Sequence, residues 1–200
     1  MTIDTVLFDI GNVLLQWDRR RLYRKLIADA REMERFLAEV CSPAWNEEQD
    51  AGRPVAEANA ILCAQFPEHR HLIEAFYARF DEMIGGEVEG MGAIVADLRD
   101  RGVPLYGLSN WCAETFHHGA RHDIVRSLKD IVVSGREKMK KPDPRIFRLT
   151  IARFGLVPEQ TLFVDDVAGN VAAGETAGLR GHLFRDADDL RRALAAYGLL

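Results

Sequence analysis

Five short, uninterrupted apolar runs punctuate the chain, at 5–9 (TVLFD), 103–109 (VPLYGLS), 130–134 (DIVVS), 161–166 (TLFVDD) and 181–184 (GHLF). Continuous rather than alternating apolar runs are the mark of strands buried on both faces. Stretches with helical spacing separate most of them, at 92–102, 143–155, 168–178 and 186–198. The second of these opens on Asp143-Pro144 and closes on Gly155, the residues that start and stop a helix. Strand and helix alternating in this way predict an open parallel α/β sheet with right-handed crossovers.

Residues 17–88 break the alternation. They carry helical patterns only, at 19–40, 54–66 and 69–84, with Pro43, Pro54 and Pro67 between them. The expectation is a helical insertion after the first strand. The segment GGEVEG (85–90) reads as a flexible return to the sheet and a hinge.

Composition narrows the function classes. The 200 residues suit one domain with an insertion, and 48% apolar with 28% charged residues is ordinary for a soluble globular chain. A net charge of −5 gives no long-range attraction to nucleic acid or to an anionic membrane. No apolar run approaches the ~20 residues that span a bilayer. The three cysteines are far apart and form no Cys-x-x-Cys pair, which fits a reducing compartment and predicts neither zinc nor disulfides. With no basic leader at the start, the expected location is cytoplasmic.

Ligands of open parallel sheets bind beyond the carboxyl ends of the strands. Those ends carry Asp9, then Ser109-Asn110, then Asp165-Asp166, and Lys140-Lys141 stands before Pro142 ahead of a helix. A single acid there would pass for a helix cap. Together the residues suggest one site. Three carboxylates in a pocket repel one another unless a cation sits among them, and a hard ion with oxygen ligands, Mg²⁺, answers that need. The Ser109 hydroxyl, the N–H groups after it at an expected helix N-terminus, and the Lys141 ammonium would hold a phosphoryl group. Asp9 is then free to attack phosphorus and form an aspartyl-phosphate.

The segments FDIGNVL (8–14), LSN (108–110), KKPDPRIF (140–147) and FVDDVAGN (163–170), in this order, resemble the four motifs of the haloacid dehalogenase superfamily, in the branch with a helical cap after the first strand. The resemblance runs the whole length. It implies a Rossmann-like parallel sheet core over 1–16 and 89–200, and a helical cap over 17–88. It implies Asp9 as nucleophile, Ser109 and Asn110 at the phosphate, and Lys141 as the motif lysine. For the metal it implies Asp166 as the principal carboxylate, Asp165 in support, Asn170 where a second Asp often stands, and the Gly11 carbonyl.

Gly11 is the departure. Most phosphatases of the family carry there a second Asp that gives a proton to the leaving group and takes one from water, a role typically worth ~10²–10⁴ in rate. The D-x-G-N-V form resembles a sugar-phosphate phosphatase subgroup, so a small phosphorylated metabolite is the expected substrate. A 2-haloacid dehalogenase would also lack that Asp and would need no metal, but Asp165-Asp166 would then face a carboxylate substrate uncompensated. A non-catalytic phosphate-sensing protein is the third alternative. Trp17 and Trp111 are candidates to line the cleft between core and cap, where a ring can stack on a sugar face. The histidines 69, 71, 117, 118 and 122 read as exposed helix residues rather than a metal site.

Overall fold

The protein is described from a computed structural model covering residues 2–200. In chain order its elements are β1 (Thr5–Phe8), β2 (Leu15–Trp17), α1 (Arg20–Tyr23), α2 (Ala30–Glu39), α3 (Pro43–Asp50), α4 (Val55–Gln65), α5 (Arg70–Ala78), β3 (Ile84–Glu87), α6 (Met91–Asp100) and β4 (Leu105–Ser109), followed by α7 (Phe116–Ala120), α8 (Asp123–Arg126), β5 (Ile131–Val133), α9 (Ser134–Glu137), α10 (Pro144–Phe154), β6 (Thr161–Asp165), α11 (Ala168–Thr176), β7 (Arg180–Leu183) and α12 (Ala187–Ala196).

All five apolar runs are strands of one sheet, in the order β5-β4-β1-β6-β7. Every pairing in it is parallel. β1 is central, with Phe8 beside Gly107 of β4 and Val164 of β6. Its side chains alternate between two apolar layers, as the period of two in a strand requires. Val6 and Phe8 join the larger layer, while Leu7 packs with Leu108, Phe147 and Phe163 on the other face. The larger layer continues without a break into the helical segment through Leu22, Phe36, Phe76 and Met83. Burial on both faces makes β1 rigid, so Asp9 leaves the sheet at a fixed point.

Three local expectations change. The pattern at 19–40 is two helices, because the Asp29 carboxylate accepts the Glu32 N–H (2.8 Å) and starts α2 afresh. The return segment is not simply flexible. Ile84–Glu87 is a strand, antiparallel to β2, with Trp17 opposite Ile84. Its two glycines hid it, since the strand exists through its partner rather than its own propensity. Residues 43–50, unassigned by periodicity, form α3, started by Pro43 and by the Ser42 hydroxyl on the Trp45 N–H (3.2 Å). Its buried stripe is Trp45, Asn46, Gln49 and Asp50, mostly polar. No helix among the described residues is long and apolar enough to cross a membrane.

Candidate active site

The site is built around a buried lysine. The Lys141 side chain is sealed from solvent, and its ammonium donates to the Leu108 carbonyl (2.8 Å) and to Asp165 Oδ2 (2.6 Å). Its third neighbour is Asp9 Oδ1, at 3.0 Å. One cation therefore spans the ends of β4, β6 and β1. Its backbone is fixed as well. Asn110 Nδ2 donates to the Lys141 carbonyl (2.9 Å), and the Lys141 N–H donates to Asn110 Oδ1 (2.8 Å). The Asn110 carboxamide, expected at the phosphate, also positions Lys141, while the residue lines the pocket beside the centre.

Asp9 is held at backbone and side chain. Its N–H donates to the Val164 carbonyl (2.8 Å), and its Oδ1 accepts the Ile10 N–H (2.7 Å). Burial pushes the Asp9 carboxyl well above its usual range. Lys141 opposes the rise, and Asp165 and Asp166 add to it. Burial alone would lower the lysine, but the carboxylates around it hold its pKa above the ordinary value. Three acids share one ammonium, so with all three ionised the cluster is two positive charges short.

The two acids after β6 differ. Asp165 is fully buried, with Oδ1 accepting from the Val167 N–H (2.8 Å) and Asn170 Nδ2 (3.0 Å) and Oδ2 taken by Lys141. Of the two residues expected among the metal ligands, Asp165 thereby binds Lys141, and Asn170 binds Asp165. Asp166 is half-buried, its pKa raised by burial and by Asp165 and eased by the Asn12 carboxamide. One carboxylate oxygen from each of Asp9, Asp165 and Asp166 lies within 4.8 Å of the others, the acidic grouping among the described residues with the spacing of a metal site. The donors are all hard oxygens, which suits a small divalent cation. Around Gly11 the hydrogen bonds use the Ile10 carbonyl (Leu15 N–H, 2.9 Å) and the Asn12 N–H (Leu15 carbonyl, 2.7 Å). The Gly11 carbonyl stands outside that ladder.

Ser109 ends β4 beside Asp9's strand and is buried. The helix expected directly after it is absent. Helix α7 begins only at Phe116, and the Trp111 N–H is taken by the Ser134 hydroxyl (2.9 Å). A phosphate here would meet loop N–H groups and not a helix dipole.

A small pocket of about 70 Å³ opens beside this centre, lined by Gly11, Trp17, Asn46, Asp50, Phe80, Asn110 and Trp111. Both expected tryptophans reach it. Trp111 is fixed by its Nε1 on Thr115 Oγ1 (3.2 Å). Asn46, Asp50 and Phe80 were not foreseen. The only trace in the sequence was a Ser-Pro helix start followed by polar residues at helical spacing. Burial, with Glu47 next in effect, pushes the Asp50 carboxyl up to about 7.

A parallel α/β sheet with a carboxylate at the end of its central strand and an acid-lysine centre beside it is the frame of a hydrolase that works through an acidic side chain. The sequence profile of the haloacid dehalogenase-like hydrolases matches residues 3–178, and the chain belongs to that family. It is 24% identical over 182 residues to a sesquiterpene phosphatase of Aspergillus oryzae, covering 90% of this chain and 89% of that one. It is 32% identical over 116 residues to the phosphoserine phosphatase of Thermus thermophilus, covering 56% of this chain and 45% of that one. Other curated relatives are far longer, and the chain spans between 11% and 36% of their length. A HAD family enzyme of Bacteroides thetaiotaomicron, solved as a magnesium complex, superposes with a TM-score of 0.74 at 19% identity, covering 97% of this chain and 99% of that one. At that identity the likeness speaks for the fold.

Proposed function

We propose that the protein is a Mg²⁺-dependent phosphatase that hydrolyses a small phosphorylated metabolite through an aspartyl-phosphate on Asp9. The observation that carries this reading is the Asp9 carboxylate. It is aimed out of the central strand, held by Lys141 at 3.0 Å, and grouped with Asp165 and Asp166 in a centre that lacks positive charge. Two phosphatases among the relatives and a structural neighbour solved with magnesium support it.

Asp9, Asp166 and the Gly11 carbonyl would hold the ion, with Asp165 binding Lys141 behind them. When bound, Mg²⁺ would supply the charge that lets an anionic phosphate approach these acids. Lys141 favours the ionised form of Asp9 against the upward push of burial and holds its carboxylate in place for in-line attack. The Ser109 hydroxyl and the Asn110 N–H receive the phosphoryl oxygens as charge builds on them, since the Trp111 N–H is already held by Ser134. Residues 17–88 act as the cap over this centre, and their α3 and the Phe80 turn close one side of the pocket. The rings of Trp17 and Trp111, lining the same pocket as Asn46 and Asp50, suit a substrate with apolar and hydroxylated faces, such as a sugar phosphate.

The test is phosphate release from 4-nitrophenyl phosphate and a panel of sugar phosphates, with and without Mg²⁺. Wild type should require the metal, and Asp9→Asn should lose turnover. Gly11 keeps one competing reading open, since a halide leaves without a proton. Metal-independent chloride release from 2-chloropropionate, with no phosphate release, would replace this proposal by a dehalogenase.

A further inference from the structure

Gly11 leaves the reaction without a group to protonate the leaving oxygen, and the pocket beside it holds one carboxyl, Asp50, that lies outside the acid-lysine centre. We infer that Asp50, from the helical segment, is the general acid and base of this enzyme. The inference rests on the phosphatase reading above.

Asp50 and Gly11 line the same pocket. Asp50 is the last residue of α3, and the core grips that helix end at several points. The Ser134 hydroxyl donates to the Asp50 carbonyl (2.6 Å) while accepting the Trp111 N–H (2.9 Å). The Cys112 N–H, on the same loop, favours the charged form of the Asp50 carboxyl and so moderates the rise that burial causes. Asn46 Nδ2 donates to Asp50 Oδ2 (3.1 Å), and Tyr77 donates its hydroxyl proton to Asn46 Oδ1 (3.0 Å), which fixes the amide's orientation. Gly135 permits the approach of α9, since a Cβ there would stand 2.5 Å from the Ala113 nitrogen and 2.9 Å from the Trp111 carbonyl oxygen. The loop that follows Ser109 and Asn110 therefore carries Asp50 as a fixed part of the site. A proton donor needs this rigidity, and one on a loose lid would lack it.

The surroundings favour a carboxyl that holds its proton near neutrality. Asp50 is 9% exposed and stands at the negative end of α3. The charged groups that act on it are Glu47 of its own helix, Lys140 from the segment before Pro142, and Asp9 just beyond β1. Lys140 is already paired with Glu47 (2.9 Å), which weakens its pull on Asp50.

The chemistry closes without another reactant. As the Asp9 oxygen bonds to phosphorus and the phosphorus–oxygen bond to the leaving group breaks, the Asp50 carboxyl gives its proton to the departing oxygen. An alcohol leaves. The Asp50 carboxylate then takes a proton from water as the water oxygen bonds to phosphorus and the bond to Asp9 breaks. Phosphate leaves, Asp9 is a carboxylate again, and Asp50 is again protonated.

Two substrates separate this role from a structural one. Benzyl phosphate has a leaving group that needs a proton, and 2,4-dinitrophenyl phosphate has one that does not. With Mg²⁺, Asp50→Asn should lower kcat on benzyl phosphate by ~10²–10⁴ and leave KM within about threefold. On 2,4-dinitrophenyl phosphate it should release one equivalent of dinitrophenolate in a burst, then turn over slowly, because the second half of the cycle has lost its base. Asp50→Glu keeps a proton to give, so it should retain at least about a tenth of the benzyl phosphate rate and show no burst. Equal losses on both substrates without a burst, a rise in KM alone, or a burst in Asp50→Glu would overturn the inference and leave the phosphatase reading standing. A wild type that releases phosphate from neither substrate removes both.

Discussion

Replacing Lys141 by methionine removes the one cation at the meeting point of β1, β4 and β6 while keeping most of the side-chain volume. The loss is confined to the ammonium. Its three contacts are the Leu108 carbonyl at 2.8 Å, Asp165 at 2.6 Å and Asp9 at 3.0 Å. Breaking a buried ion pair by deleting one partner costs ~3–5 kcal/mol, because the other charge stays behind uncompensated. In a domain of this size about 1 kcal/mol moves the melting temperature by ~2–4 °C, so a fall of roughly 6–20 °C is expected. The fall should depend on pH. Lys141 is what opposes the upward push of burial on the Asp9 carboxyl, so its removal raises that pKa further. A carboxyl raised in the folded state binds more protons folded than unfolded, and stability falls as pH climbs from the unfolded value near 4 through the folded one. At pH 5 the variant relieves the repulsion by binding a proton. At pH 8 the proton is lost and the full penalty appears. Thermal unfolding followed by circular dichroism, in a chelator at pH 5 and pH 8, measures both. A melting temperature within 2 °C of wild type at pH 8, or a larger deficit at pH 5 than at pH 8, would refute the picture of Lys141 as the charge that holds the centre together.

Asp50 offers the matching experiment with the opposite sign. Its carboxyl is raised from 3.8 to about 7, a difference worth up to ~4 kcal/mol that the folded state has at pH 4 and loses by pH 8. Asp50→Asn should therefore gain on wild type by a few kcal/mol between those pH values in denaturant melts, after a pH-independent loss of ~1 kcal/mol for one mismatched hydrogen bond. A stability difference that stays flat from pH 4 to 8 would show that Asp50 is not a strained carboxyl. Position 11 can take a side chain, since a Cβ there meets nothing within 4 Å. Adding Gly11→Asp to Asp50→Asn should recover at least about tenfold of the lost benzyl phosphate turnover, given the usual worth of such a group. No recovery would mean that proton transfer is not what the glycine withholds.

Local sequence determined the scaffold of this protein. Five apolar runs became five parallel strands, because a strand buried on both faces needs a continuous run and little else supplies one. Asp9, Ser109 and Asp165-Asp166 were legible as site candidates for the same reason. They are polar residues where such runs end, and strand ends in parallel sheets face one cleft. Tertiary structure decided which of them touch. Asp165, alike in sequence to a metal ligand, is bonded to Lys141, and Asn170 is bonded to Asp165. Asn110 fixes the lysine backbone, which no spacing along the chain could reveal. The strand β3 exists only through its partner β2, and the helix expected after Ser109 begins six residues late. Asp50 was the least visible of all. It lies 41 residues from Asp9 in the chain, on a helix with no apolar rhythm, and it is held in the site by contacts such as that of Ser134, 84 residues further on, which bonds its carbonyl. Periodicity records which residues avoid water. It carries no trace of a polar residue buried for its chemistry, because such a residue is held by partners that the chain brings together only on folding.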